Sequence, residues 1–128
     1  MSEGLADTSV FIARESGRPL AVERLPEALG ISVVTLGELR AGVLAADDVE
    51  TRDRRLSTLT EAMQLAAIPI DERVAHAWAK LRLTLRDAGV RMPVNDSWIA
   101  ATAISLDIPV VTQDEDYIDV PGLAVVRV

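Results

Sequence analysis

The residues of this chain best suited to chemistry are carboxylates, and four of them stand where a helix begins or a strand ends: Asp7, Glu38, Asp96 and Asp114. Two hydroxyl residues, Ser9 and Thr112, lie two positions from the first and last of these. There is no cysteine and His76 is the only histidine, which excludes disulfides, thiolate zinc sites, cysteine nucleophiles and the histidine pair of an ordinary zinc site. Oxygen donors remain. Carboxylates packed within several ångströms of one another repel unless a divalent cation joins them. Magnesium or manganese accepts all-oxygen ligation by a few carboxylates plus waters. A site of that kind suits phosphoryl transfer to water, because the cation lowers the pKa of water and no side-chain base is required.

The elements that must deliver these acids can be read in outline. Pro93 to Tyr117 predicts a helix opening at Asn95 and Asp96, a tight turn at Asp107 to Pro109 and a buried strand through Val110 and Val111, followed by Asp114, Glu115 and Asp116. A helix and the strand after it run antiparallel, so Asp96 and Asp114 should meet at the C-terminal strand edge, where open α/β sheets do their chemistry. Gly4 to Ala6 predicts a first strand ending at Asp7, then a helix capped by Thr8 or Ser9 and stopped at Gly17. Asp7 could serve equally as that helix's own cap. Pro19 opens a second short helix that Pro26 ends.

Ile31 to Val34 reads as a second buried strand, with a helix from Thr35 whose apolar stripe is Leu36, Leu39 and Val43. Glu38 lies off that stripe, with Ala41, Gly42 and Ala45, a small-residue face that another element can approach closely. Asp96 repeats the pattern with Ala100 and Ala103, while Ile99 and Leu106 are expected to face the core. Asp47 to Ala66 forms the return arm of a helical hairpin and carries Arg52, Arg54 and Arg55, placed either to grip phosphates or as a solvated face. Ala67 to Ile70 is a short strand, and Asp71 caps a long helix that Gly89 stops. His76 lies off that helix's apolar stripe, and Trp98 is placed either to stack on a base or to pack against another helix. Leu123 to Val128 is the last strand.

Strands alternating with helices predict an α/β fold with a parallel sheet between helical layers. With 128 residues, 49% of them apolar, the chain is expected to form a single domain over 1–128. No stretch approaches the roughly 18 apolar residues of a membrane span, and the N-terminus lacks a signal peptide's pattern, so the expected location is the cytoplasm. A net charge of −7 argues against broad electrostatic binding to nucleic acid and leaves any nucleic-acid contact to local arginines, among them Arg14, Arg40, Arg82 and Arg86.

Four stretches in order, LADTSVFI, SVVTLGELRAG, NDSWIAATA and VVTQDEDY followed by VPGL, resemble the successive signatures of PIN-domain proteins, in particular the VapC-type toxins of bacterial toxin–antitoxin pairs. The resemblance runs from Leu5 to Leu123. It implies a PIN-like three-layer α/β/α domain with a central, mostly parallel sheet of four to five strands and a protruding helical hairpin. It further implies a magnesium-dependent endoribonuclease, with manganese as a substitute, a VapB-like antitoxin and a homodimer. The family's acids fall on Asp7, Glu38, Asp96 and Asp114, with Asp116 as an additional metal candidate and Ser9 and Thr112 in support. Tyr117 stands where a Phe is commoner and adds a hydroxyl. A PIN-like scaffold that binds RNA or a partner without cutting is the alternative. A haloacid-dehalogenase site lacks its second aspartate because Ser9 stands there, and a receiver domain lacks its lysine because Lys80 falls mid-helix.

Overall fold

A computed structural model of the chain describes residues 2–117 and 119–128. Five strands, β1 (Glu3–Ala6), β2 (Ala28–Ser32), β3 (Ala66–Ile68), β4 (Val110–Thr112) and β5 (Val125–Arg127), form one sheet in the order β3-β2-β1-β4-β5, and every pairing is parallel. The helices are α1 (Thr8–Ser16), α2 (Val33–Leu44), α3 (Val49–Ala62), α4 (Glu72–Ala88) and α5 (Val94–Leu106). A short 3-10 turn occupies Val22–Arg24, where a helix from Pro19 was expected.

Alternation along β1 sends neighbouring residues to opposite faces. Leu5 joins Val110, Val74, Leu81, Leu85 and Ile99 in a core under α4 and α5, while Ala6 joins Ile31, Phe11, Leu39, Val43 and Leu59 under α1, α2 and α3. The sheet thus lies between two helical layers. Gly4 sits where β1 is most crowded: a Cβ there would come within 2.7 Å of a Val111 methyl and 2.8 Å of Pro26 Cγ.

Several boundaries differ from the sequence reading. The second strand stops at Ser32, and Val33 and Val34 open α2, because the Ser32 hydroxyl accepts the Val34 N–H at 3.0 Å and caps the helix. A β-branched run was read as strand, and the cap overrides it. The third strand covers Ala66–Ile68 rather than Ala67 to Ile70, and the last is confined to Val125–Arg127. Leu106 does not reach the core. It is 39% exposed at the end of α5, just before Asp107 turns into the left-handed region at φ 54°.

Asp71 caps α4 by accepting the Val74 N–H at 3.0 Å, and Gly89 ends it at φ 65°, as expected. α2 and α3 form the hairpin, and the arginines of α3 fasten it. Arg55 donates to the Gly42 carbonyl at 2.7 Å and Arg52 to the Ala46 carbonyl at 3.3 Å, bonds that satisfy carbonyls at the end of α2. Trp98 is taken up by helix packing, stacked on Trp78 with ring centroids 4.2 Å apart and planes 2° from parallel.

Candidate active site

The chain reverses its direction of sheet growth at β1, with β2 added on one side and β4 on the other. In open parallel sheets the crevice at such a switch point, beyond the strands' C-terminal ends, is where ligands bind. Asp7 directly follows β1 and Asp114 follows β4, so the reversal brings both to the same crevice. Ser32 starts α2 at the same edge and places Glu38 about one and a half turns along it, and the first turn of α5 contributes Asp96. All four line one cavity of about 260 Å³ together with Thr8, Ser9, Ile12 and Arg18.

Asp7 is the best-anchored of these acids and is almost fully buried, at 2% exposure. Tyr117, wholly buried, donates its hydroxyl to Asp7 Oδ1 at 2.8 Å. Thr112 donates to Oδ2 at 3.0 Å, and the Ser9 N–H reaches the same oxygen at 3.4 Å. Asp7 therefore is the N-cap of α1 and a member of the acid cluster at once. The cap expected at Thr8 or Ser9 thus falls to Asp7, the alternative that the sequence left open.

The supporting hydroxyls form a chain. Ser9 Oγ lies 3.1 Å from Thr112 Oγ1, and since the Thr112 proton goes to Asp7, the Ser9 hydroxyl donates here. The Asp114 N–H donates to Thr112 Oγ1 at 2.9 Å, and the Gln113 N–H to Ser9 Oγ at 3.0 Å. One threonine thus orients acids that lie 107 positions apart in the sequence. Glu38 has its own guide. The Thr8 hydroxyl donates to Glu38 Oε1 at 2.8 Å and lies 3.0 Å from the buried Thr35 hydroxyl.

The electrostatics are those of crowded anions. Burial, then the charge of Asp7, then a hydrogen bond and charge from Asp116 push the Asp96 carboxyl up from 3.8 to about 7. Asp114 is raised as well, by burial first and then by Asp7 and Asp116, against the pull of Arg18 and Arg127. Burial and the charges of Asp7 and Asp96 push the Tyr117 hydroxyl far above its usual range, so it stays a donor. Asp116 is exposed and is not among the residues lining the cavity, whose wall includes Asp114.

These residues suit a hard divalent cation in kind: four carboxylates from four elements, with two of them driven toward protonation by burial and mutual repulsion that a cation would relieve. Among the described residues, however, no three acidic or histidine side chains are already spaced as a finished metal clamp. Binding would have to draw them inward. His76 lies elsewhere, with Lys80 in a cleft of about 630 Å³ between α4, the end of α5 and the Pro121–Gly122 turn, and that cleft contains none of the cluster's acids.

Arg18, Thr8 and Thr35 are the contributors the sequence reading missed. None of Arg14, Arg40, Arg82 and Arg86 lines the acid cavity. Arg14 faces Glu61 at 3.7 Å, Arg86 pairs with Asp87 at 3.2 Å, and Arg82 stands 5.0 Å over the Trp78 ring.

Residues 5–123 match the PIN domain family. Two proteins of Mycobacterium tuberculosis are similar over almost the whole length. Ribonuclease VapC5 is 46% identical across 98% of this chain and 93% of its own, and ribonuclease VapC4 is 49% identical across 97% and 95%. The fold is similar to that in the crystal structure of a member of the VapBC family of toxin–antitoxin systems, VapBC-5, from the same species, with a TM-score of 0.92 and 40% identity over 100% of both chains. In sequence and fold alike, the chain belongs to the PIN-domain family, on its VapC branch.

Proposed function

We propose that this chain is a magnesium-dependent endoribonuclease, the toxin of a VapBC-type pair, which hydrolyses RNA phosphodiesters at the cavity formed by Asp7, Glu38, Asp96 and Asp114. The observation that carries this reading is that four carboxylates from separate segments line one cavity at the sheet's switch point. Similarity to named VapC ribonucleases over nearly the full chain supports the substrate class. Asp7, Glu38, Asp96 and Asp114 would hold the cation, magnesium or manganese, with Asp116 at the margin. When bound, it supplies activation of water and neutralisation of phosphate charge.

The protein's own contribution is positioning. Tyr117 and Thr112 fix both oxygens of Asp7, and Thr8 fixes one of Glu38. The histidine lies in another cleft, so the carboxylates and a cation they hold would have to activate the water. A VapB-like antitoxin is the expected partner, in keeping with the VapBC complexes among the similar structures. The hairpin leaves apolar surface for it: Leu44 is 74% exposed and Val49 83%. A homodimer is proposed from the family resemblance.

The test is cleavage of RNA by purified protein with magnesium or manganese. Wild type is expected to cut, and Asp7→Asn and Asp96→Asn to lose cleavage while keeping a folded circular-dichroism spectrum. Equal cleavage by all three proteins refutes the assignment. The lack of a finished clamp favours a second reading, a scaffold that binds without cutting. Calorimetric titration separates the two, since the scaffold predicts no manganese binding that depends on Asp7 and Asp96.

A further inference from the structure

The acid cavity has one cationic wall. Arg18 stands there beyond Ile12, on the side of α1 that faces the cavity. Its backbone is held rather than loose: Gly17 ends α1 at φ 75°, and the Arg18 N–H donates to the Ala13 carbonyl at 2.9 Å. Among the described residues no carboxylate oxygen lies within 4.0 Å of the Arg18 guanidinium, so it is not spent on a neighbour.

Two more arginines, Arg24 and Arg127, line a second cavity of about 580 Å³ with Ala21, Val125 and Val128. Gln113 ties the two places together, donating its side-chain amide to the carbonyls of Pro19 and Val128 while its backbone N–H bonds Ser9. Arg127 is set in position by the Gln113 carbonyl at 3.0 Å and by Glu115 at 3.4 Å. Arg18 and Arg127 both exert their charge on Asp114. Arg18 and Arg24, with Arg127 shared between Glu115 and solvent, put positive charge beside an anionic cup in a chain of net charge −7, an arrangement suited to an anionic occupant that extends beyond the cup.

We infer that Arg18, followed by Arg24 and Arg127, forms the track that grips the backbone phosphates of a single-stranded RNA on one side of the bond being cut. This rests on the ribonuclease reading and gives it a direction: the strand leaves the acids past Ile12 and runs toward β5. Planar guanidinium groups suit phosphate recognition, and contacts to flanking phosphates hold ground state and transition state alike. Their loss therefore appears in KM.

The test uses the whole protein and an end-labelled single-stranded RNA that the wild type cuts, with Arg18→Gln, Arg18→Lys and the double variant Arg24→Gln/Arg127→Gln. Arg18→Gln is expected to raise KM about tenfold with kcat within about twofold, and Arg18→Lys to recover part of the loss. The dependence of log(1/KM) on log salt should become shallower by about 0.7 for each phosphate contact removed, a readout that a purely structural arginine does not move. Manganese affinity should not fall in Arg18→Gln, because Arg18 competes with a bound cation for the charge of Asp114. Unaltered KM and salt slope in every variant overturn the track while leaving the nuclease intact, as does a loss confined to kcat with weakened manganese binding, which would mean that Arg18 acts through Asp114. If the variants cut normally but escape inhibition by the antitoxin, the track belongs to a protein partner instead. A wild type that cuts no RNA sinks the ribonuclease reading itself.

Discussion

Replacing Asp96 by Asn should destroy activity and stabilise the metal-free protein. Asp96 is half-buried beside Asp7 and Asp116, and its carboxyl is pushed from 3.8 to about 7. A carboxyl raised in the folded state holds its proton more tightly there than in the unfolded chain. Between pH 3.8 and about 7 the native state therefore binds the extra proton, and stability falls as pH rises through that window. The change in proton affinity corresponds to about 4 kcal/mol in a fully dry site, and screening by solvent at a half-open position cuts this to about 1–2 kcal/mol. Asn keeps the shape and removes the charge.

In EDTA at pH 8 the Asp96→Asn variant should unfold at higher urea than wild type, by about 1–2 kcal/mol, with the gap shrinking toward pH 4. Manganese should reverse the order by stabilising only wild type. Urea titrations at several pH values, with and without metal, measure all of this. A variant less stable than wild type at pH 8, or one with the same pH dependence, would refute the reasoning that like-charge crowding dominates at Asp96.

Two other outcomes follow from the same geometry. Tyr117→Phe deletes the buried donor to Asp7 Oδ1, and should cost about 1–3 kcal/mol in urea unfolding and weaken manganese binding roughly tenfold in calorimetry; unchanged values in both would show that the hydroxyl does not hold Asp7. Gly4→Ala pushes a methyl group against Val111 and Pro26 at 2.7 and 2.8 Å in the sheet's interior, and a fall in stability of about 1–3 kcal/mol by thermal denaturation is expected, against none if those side chains simply move aside.

What the sequence made legible follows from the range of the physics involved. Local signals read well: Asp71 and Gly89 bracket α4 because capping depends on residues within one turn. That Asp7 and Asp114 share a cavity was legible because a carboxylate at a strand end has a position dictated by topology. Val33 and Val34 were misread because β-branching favours strands, and one buried serine hydroxyl outweighed it. Arg18 gave no signal, since a residue just past a helix has no periodicity and its role depends on where α1 points. Thr8 looked like a helix cap, and only the register of β1 beside β2 brings its hydroxyl to Glu38. For Leu106 the helical spacing was sound, but the core ends at Ala103 and Ile104, before the last residue of α5.

The double duty of Asp7 decides how an inactive form of this protein should be made. Alanine at that position would leave the first turn of α1 without its acceptor and leave the hydroxyls of Tyr117 and Thr112 facing a void, so a dead protein could simply be a badly folded one. Asparagine keeps the volume and one acceptor oxygen for the Ser9 N–H and the Thr112 hydroxyl, and its amide NH2 can donate to the Tyr117 oxygen once that hydroxyl turns, so it removes the charge with no void. Any search for bound targets that relies on a silenced copy should start from the amide, because its silence can then be traced to chemistry.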